Sequence, residues 1–105
     1  MIYFHGIGED LGLIDSEVST LGEMLNMNVL AIEYPGYGIN FHRGVTTQDE
    51  IASDAHTVIE YLNKKLSIQM ADMILFGRSM GSGVVVKVLE SLEKQPAAAI
   101  LASAY

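Results

Sequence analysis

Cysteine is absent from this chain. That excludes a disulfide framework, thiolate-ligated zinc and S-acylation within these residues. Basic residues are scarce, six against thirteen acidic ones, for a net charge of −7. Arg43, Lys64, Lys65, Arg78, Lys87 and Lys94 gather into no patch, so nucleic acid is not an expected partner. Long hydrophobic runs are missing as well. The opening Met1-Ile2-Tyr3-Phe4-His5-Gly6 has neither a basic leader nor a long apolar segment, so neither a signal peptide nor a membrane span is expected. The expected setting is cytoplasmic. Three histidines stand without the paired spacing of metal ligands, and neither a metal nor an organic cofactor is expected. No repeat, linker or low-complexity tract breaks the chain.

What is present points to one domain, or part of one: 105 residues, half of them hydrophobic. Ile2-Tyr3-Phe4 is a short apolar run stopped by His5-Gly6-Ile7-Gly8. Glu9-Asp10 stand where carboxylates suit a helix N-terminus. Ile14, Val18, Leu21 and Leu25 follow at helical spacing, and the helix is expected to end near Asn26. Val29 to Tyr34 reads as a buried strand, ended by Pro35-Gly36-Tyr37-Gly38. Thr47-Gln48-Asp49-Glu50 reads as a capping box. Behind it Ile51, Ala55, Val58, Ile59, Leu62 and Leu66 form one helical stripe. Strands are expected over Met73–Phe76 and Ala98–Ala102, with a helix from Val84 to about Glu93 between them. The pattern β-α-β-α-β-α-β, with apolar strands that do not alternate, predicts an α/β fold: a parallel sheet with helices on both faces. The glycine-bearing turns after Phe4, Tyr34 and Phe76 then share the carboxyl rim, where such sheets bind ligands.

The centre of the pattern is Gly77-Arg78-Ser79-Met80-Gly81, an apolar run before it and a helical run after it. Strand, sharp turn and helix with Gly-x-Ser-x-Gly at the corner describe a nucleophile elbow. The serine hydroxyl projects above the sheet, and Gly77 and Gly81 leave room for the neighbouring strand and helix. The Met80 N–H, at the start of the helix, is free to donate to a developing oxyanion.

His5-Gly6-Ile7-Gly8-Glu9-Asp10-Leu11-Gly12, Tyr34-Pro35-Gly36-Tyr37-Gly38 and Gly77-Arg78-Ser79-Met80-Gly81-Ser82-Gly83 resemble, in that order, the motifs of alpha/beta-hydrolase-fold serine hydrolases. The set looks most like the alpha/beta-hydrolase-domain protein depalmitoylases. The resemblance covers essentially the whole chain. It implies the sheet order Val29–Tyr34, Ile2–Phe4, Met73–Phe76, Ala98–Ala102, as the third to sixth strands of eight. It implies Ser79 as nucleophile, the N–H groups of Met80 and Ile7 as oxyanion donors, and His5 and Gly6 as supports of the oxyanion turn. The implied activity is hydrolysis of an acyl ester or thioester, with an acylated protein or a lipid-like ester as substrate. The full-length protein could associate peripherally with a membrane.

Two departures qualify this expectation. Ile7 stands where the family usually carries a polar residue, often Asn. After Ser79 the only acids are Glu90 and Glu93, and no histidine follows, whereas this fold orders its triad Ser, acid, His. The resemblance therefore implies an internal piece of a longer hydrolase, a single partial domain over residues 1–105. It would lack the first strands and the part carrying the triad acid and base. The alternatives are a carboxylesterase, lipase-like or peptidase member of the fold, or a truncated, non-catalytic form.

Other residues carry plainer expectations. His42 and His56 read as surface histidines, Tyr34 and Tyr37 as packing for their loop, and Arg78 as a surface residue or a support of the site. A rival reading takes Gly6, Gly8 and Gly12 as a dinucleotide-binding turn with Glu33 on the ribose. Glu9 and Asp10 would then repel the pyrophosphate at the helix N-terminus.

Overall fold

A computed structural model describes residues 1–103. Four strands, β1 (Ile2–Phe4), β2 (Leu30–Ile32), β3 (Ile74–Arg78) and β4 (Ala98–Ala102), alternate with three helices. The helices are α1 (Leu11–Leu25), α2 (Gln48–Leu66) and α3 (Met80–Ser91). All strand pairs are parallel, and the sheet order is β2-β1-β3-β4. This is the α/β arrangement and the strand order expected.

The chain winds outward from β1 to β2, then crosses back over β1 to reach β3. With right-handed crossovers, that reversal puts α1 and α2 on opposite faces. The core agrees. Ile2, Phe4, Ile32 and Leu75 pack with Ile51, Ala55, Ile59 and Leu62 of α2 and Val84, Val85 and Val88 of α3. Tyr3 points the other way and stacks on Phe76, ring centroids 5.0 Å apart.

Local signals account for the helix ends. The Asp10 carboxylate accepts the Leu13 N–H at 2.9 Å, and Asn26 closes α1 in the left-handed region. Thr47 Oγ1 accepts the Glu50 N–H at 3.1 Å, the forward bond of the expected box.

Two expectations change, and one turn is new. The helix after the elbow begins at Met80, not Val84, because Ser79 alone makes the turn. A pair of 3₁₀ turns over Gly38–Arg43, broken at Asn40, follows β2. There the Gly36 N–H bonds the Asn40 carbonyl at 2.9 Å, and Asn40 Nδ2 bonds the Glu33 carbonyl at 3.1 Å. Finally, β4 is not covered on both faces: Ile100 and Leu101 are 41% and 44% exposed. Among the described residues, no helix is long and apolar enough to cross a membrane.

Candidate active site

Ser79 is the single residue between β3 and α3, at φ 53° and ψ −118°. Side-chain-bearing residues rarely enter that region, and they stay there only when their surroundings hold them. Here the Ser79 N–H donates to the Ala102 carbonyl at 2.9 Å. The Ser79 carbonyl accepts the Ser82 N–H at 2.9 Å and the Ser82 hydroxyl at 2.5 Å. The glycines are needed for space. A Cβ on Gly77 would stand 2.6 Å from the Gly81 carbonyl carbon and 2.7 Å from Ser82 Cα. A Cβ on Gly81 would stand 2.7 Å from the Phe4 carbonyl carbon and 2.9 Å from the His5 carbonyl oxygen. Strand, elbow and helix are thus packed backbone to backbone. Met80 is the first residue of α3, so its N–H has no carbonyl within the helix.

The turn after β1 lies directly beside this elbow. A Cβ on Gly6 would come within 3.3 Å of Ser79 Cβ and 3.5 Å of the Arg78 carbonyl oxygen. The Gly6 N–H is taken by Glu9 Oε1 at 3.1 Å, and Gly8 turns the chain at φ 76°. The Ile7 N–H has no partner among the described residues, and the Ile7 side chain is 71% exposed. The two candidate donors therefore lie on different segments, Met80 directly after Ser79 and Ile7 directly after Gly6.

His5 is fully buried, and both of its ring nitrogens are engaged. Nδ1 lies 2.9 Å from the Gly6 carbonyl, which can only accept, so Nδ1 carries a proton. Nε2 lies 3.0 Å from Glu33 Oε1. The ring stacks on Tyr34 at 3.9 Å and meets the edge of Tyr37 at 5.4 Å. Burial pushes the Tyr34 phenol well above its ordinary value; it stays protonated and donates to the His5 carbonyl at 2.7 Å. With both nitrogens occupied, His5 is not placed to take a proton from Ser79.

Glu33 is the residue whose part sequence reasoning missed. Its Oε1 meets His5, and its Oε2 accepts the Leu11 N–H at 3.0 Å at the start of α1. The carboxylate that the dinucleotide reading assigns to a ribose is spent inside the fold. A usable signal was the polar residue at the end of an otherwise apolar strand, at the same rim as His5. Arg78 Nη1 grips both oxygens of Glu9, at 2.8 and 2.9 Å.

The other histidines lie elsewhere. His42 is exposed beside the Phe41 ring, and His56 Nε2 meets Ser91 Oγ at 2.6 Å between α2 and α3. Among the described residues, no histidine or carboxylate bonds to the Ser79 hydroxyl, and no three His, Asp or Glu side chains converge as metal ligands.

Comparison with known proteins sharpens the assignment. The family model described as serine aminopeptidase, S33 (Hydrolase_4) matches residues 1–105. Alpha/beta hydrolase domain-containing protein aho-3 of Caenorhabditis elegans is 30% identical over 82 residues, 78% of this chain and 24% of that protein. Human alpha/beta hydrolase domain-containing protein 17C is 28% identical over 93 residues, 89% of this chain and 28% of that protein. The chain thus spans about a quarter of the length of these relatives. Among solved structures, an extracellular alpha/beta-hydrolase from a Paenibacillus species superposes with a TM-score of 0.74 at 26% identity, over 99% of this chain and 40% of that one. It is described as sharing structural and functional homology with Tobacco Salicylic Acid Binding Protein 2. Since that neighbour is extracellular, the comparison lends the cytoplasmic expectation no support. A parallel sheet in this order, a serine on the elbow after β3 and a family match over every residue lead to one conclusion: this chain belongs to the Hydrolase_4 (serine aminopeptidase, S33) family of alpha/beta hydrolases.

Proposed function

We propose that this chain is the nucleophile-bearing part of a serine hydrolase that cleaves acyl esters or thioesters, most like the protein depalmitoylases. Ser79 Oγ attacks the acyl carbonyl and forms a C–O bond. The carbonyl oxygen, now an oxyanion, sits between the N–H groups of Ile7 and Met80. A histidine from outside these 105 residues takes the serine proton and passes it to the leaving thiol or alcohol, while an acid orients that histidine. Water then cleaves the acyl-enzyme, releasing a carboxylic acid and restoring Ser79. On this reading, the chain is one partial domain of a longer polypeptide. We place the full-length protein in the cytoplasm, at the cytosolic face of membranes.

The observation that carries the reading is the Ser79 backbone at φ 53°, held in a strained turn beside the Gly6–Gly8 turn. Strain of this kind costs about 1–3 kcal/mol and persists where it serves a site. A fluorophosphonate probe applied to the native polypeptide tests it. The adduct is expected on Ser79, and Ser79→Ala is expected to abolish both labelling and turnover. A folded native protein that leaves Ser79 unlabelled overturns the proposal. An S-palmitoyl peptide is expected to turn over on the order of tenfold better, by kcat/KM, than 4-nitrophenyl butyrate or an aminoacyl nitroanilide. Preference for the nitroanilide would assign a peptidase instead.

A second reading applies to the 105 residues by themselves. Because no described histidine or carboxylate reaches Ser79, the isolated chain lacks a general base. It would retain only the catalysis that oxyanion binding supplies, on the order of 10³–10⁴ over water, and would behave as a binding module.

A further inference from the structure

The two candidate oxyanion donors sit on different segments, and one side-chain pair links those segments directly. Glu9 Oε1 accepts the Gly6 N–H at 3.1 Å and the Arg78 guanidinium at 2.8 Å; Oε2 accepts the same guanidinium nitrogen at 2.9 Å. Arg78 adjoins Ser79, and Gly6 adjoins Ile7. Gly6 itself is wedged within this clamp. A Cβ there would lie 2.6 Å from Glu9 Oε1, 3.3 Å from Ser79 Cβ and 3.5 Å from the Arg78 carbonyl oxygen.

We propose that Glu9, braced by Arg78, is a positioning residue that fixes the spacing of the Ile7 and Met80 N–H groups. We further propose that Arg78 offsets the Glu9 charge beside the developing oxyanion. This rests on the reading of those N–H groups as oxyanion donors. Such donors act only when they stand about 2.7–3.1 Å from the oxyanion, and a displacement of about 1 Å can cost on the order of 100-fold. An unpaired carboxylate at this rim would oppose the negative charge that the donors exist to stabilise. Stability does not explain the pair. The Arg78 and Glu9 side chains are 43% and 20% exposed, and partly exposed ion pairs contribute little to folding. Variants of either residue should therefore fold.

The test uses Glu9→Ala, Glu9→Gln, Arg78→Met and the double variant Glu9→Gln/Arg78→Met in the native polypeptide, with 4-nitrophenyl butyrate as the probe substrate. Glu9→Ala should lower kcat about tenfold or more while KM stays within about threefold. Glu9→Gln should recover most of that loss, since its amide oxygen still accepts the Gly6 N–H. Arg78→Met should also lower kcat about tenfold, because it strands the Glu9 charge, and adding Glu9→Gln should restore much of it. A merely structural pair predicts no such recovery. Wild-type kcat in Glu9→Ala, or a double variant no faster than Arg78→Met, overturns the proposal.

Amide hydrogen exchange of residues 5–9 supplies a readout that needs no turnover. Exchange should be faster in Glu9→Ala than in wild type or Glu9→Gln; equal rates overturn the positioning role. If wild-type Ser79 neither labels nor turns over, the hydrolase reading falls. The exchange comparison then decides by itself whether Glu9 holds the turn.

Discussion

Gly81 shows how little freedom the candidate site leaves a single residue. A methyl group there would press on the Phe4 carbonyl carbon at 2.7 Å and the His5 carbonyl oxygen at 2.9 Å, both backbone atoms at the end of β1. Backbone cannot rotate aside as a side chain can, so Gly81→Ala should cost about 3 kcal/mol, the upper end of overpacking. The shift in the urea midpoint measures it. Tyr3 presents the opposite case. Its hydroxyl is buried and, by geometry, makes no hydrogen bond among the described residues, although the Glu17 carboxylate lies close by. Tyr3→Phe should be neutral, or stabilising by about 1 kcal/mol, in the same measurement. Burial first, and the Glu17 carboxylate second, push the Tyr3 phenol well above the ordinary value of 10.0. Burial does the same to Tyr34. Unfolded tyrosines ionise near 10, so both phenols hold their protons more tightly when folded. Below pH 10 their ionisation leaves stability unchanged, and above it ionisation favours the unfolded chain and stability falls. Urea midpoints taken from pH 8 to 11 should be flat at first and then decline. A midpoint that rises above pH 10 would contradict these burials.

The helices show which local signals act alone and which need partners. Thr47 is the side-chain cap of α2, and its single bond to the Glu50 N–H satisfies one of the orphan donors. Thr47→Ala should cost about 1 kcal/mol, read as a lowered thermal midpoint. Capping residue and apolar stripe were both visible in sequence because they depend only on spacing along one helix. The 3₁₀ turns after β2 were not visible. Their stability comes from Asn40 reaching back to the Glu33 carbonyl, a contact that no periodicity announces. The start of α3 was misplaced for a related reason. Gly81, Ser82 and Gly83 are weak helix formers, yet Gly81 and Ser82 are buried inside the first turn of α3. Tertiary packing overrides their propensity.

Across the whole molecule the sheet is unevenly protected. β1 and β3 lie at its centre, whereas β2 and β4 are its edges. β4 carries Ala98-Ala99-Ile100-Leu101-Ala102, with Ile100 and Leu101 both substantially exposed. Successive strand residues point to opposite faces, so β4 shows apolar surface on each side as well as an open edge. Such strands recruit other chains. The isolated 105-residue chain should therefore associate, and light scattering coupled to size exclusion should give a mass above the 11.4 kDa monomer. Replacing both residues, Ile100→Lys with Leu101→Lys, should shift the population toward monomer. A monodisperse monomer of the unaltered chain would show that β4 is protected in solution after all.

Spacing along the chain was enough to determine the alternation of strands and helices, the helix caps and the Ser79 corner. Each depends on residues close in sequence: an apolar run, a helical stripe, or a glycine two positions away. Strand order came from resemblance to a family, because nothing local dictates that β1 sits between β2 and β3. The tertiary structure alone decided which partners His5, Glu9, Glu33 and Arg78 take. Glu33 lies 28 residues from His5, and Glu9 lies 69 residues from Arg78. The free energy of those pairings exists only once the crossovers have brought three strand ends to one rim. A carboxylate read in isolation looks like a helix-start residue or a ligand contact. Its partner, and therefore its role, is supplied by the fold.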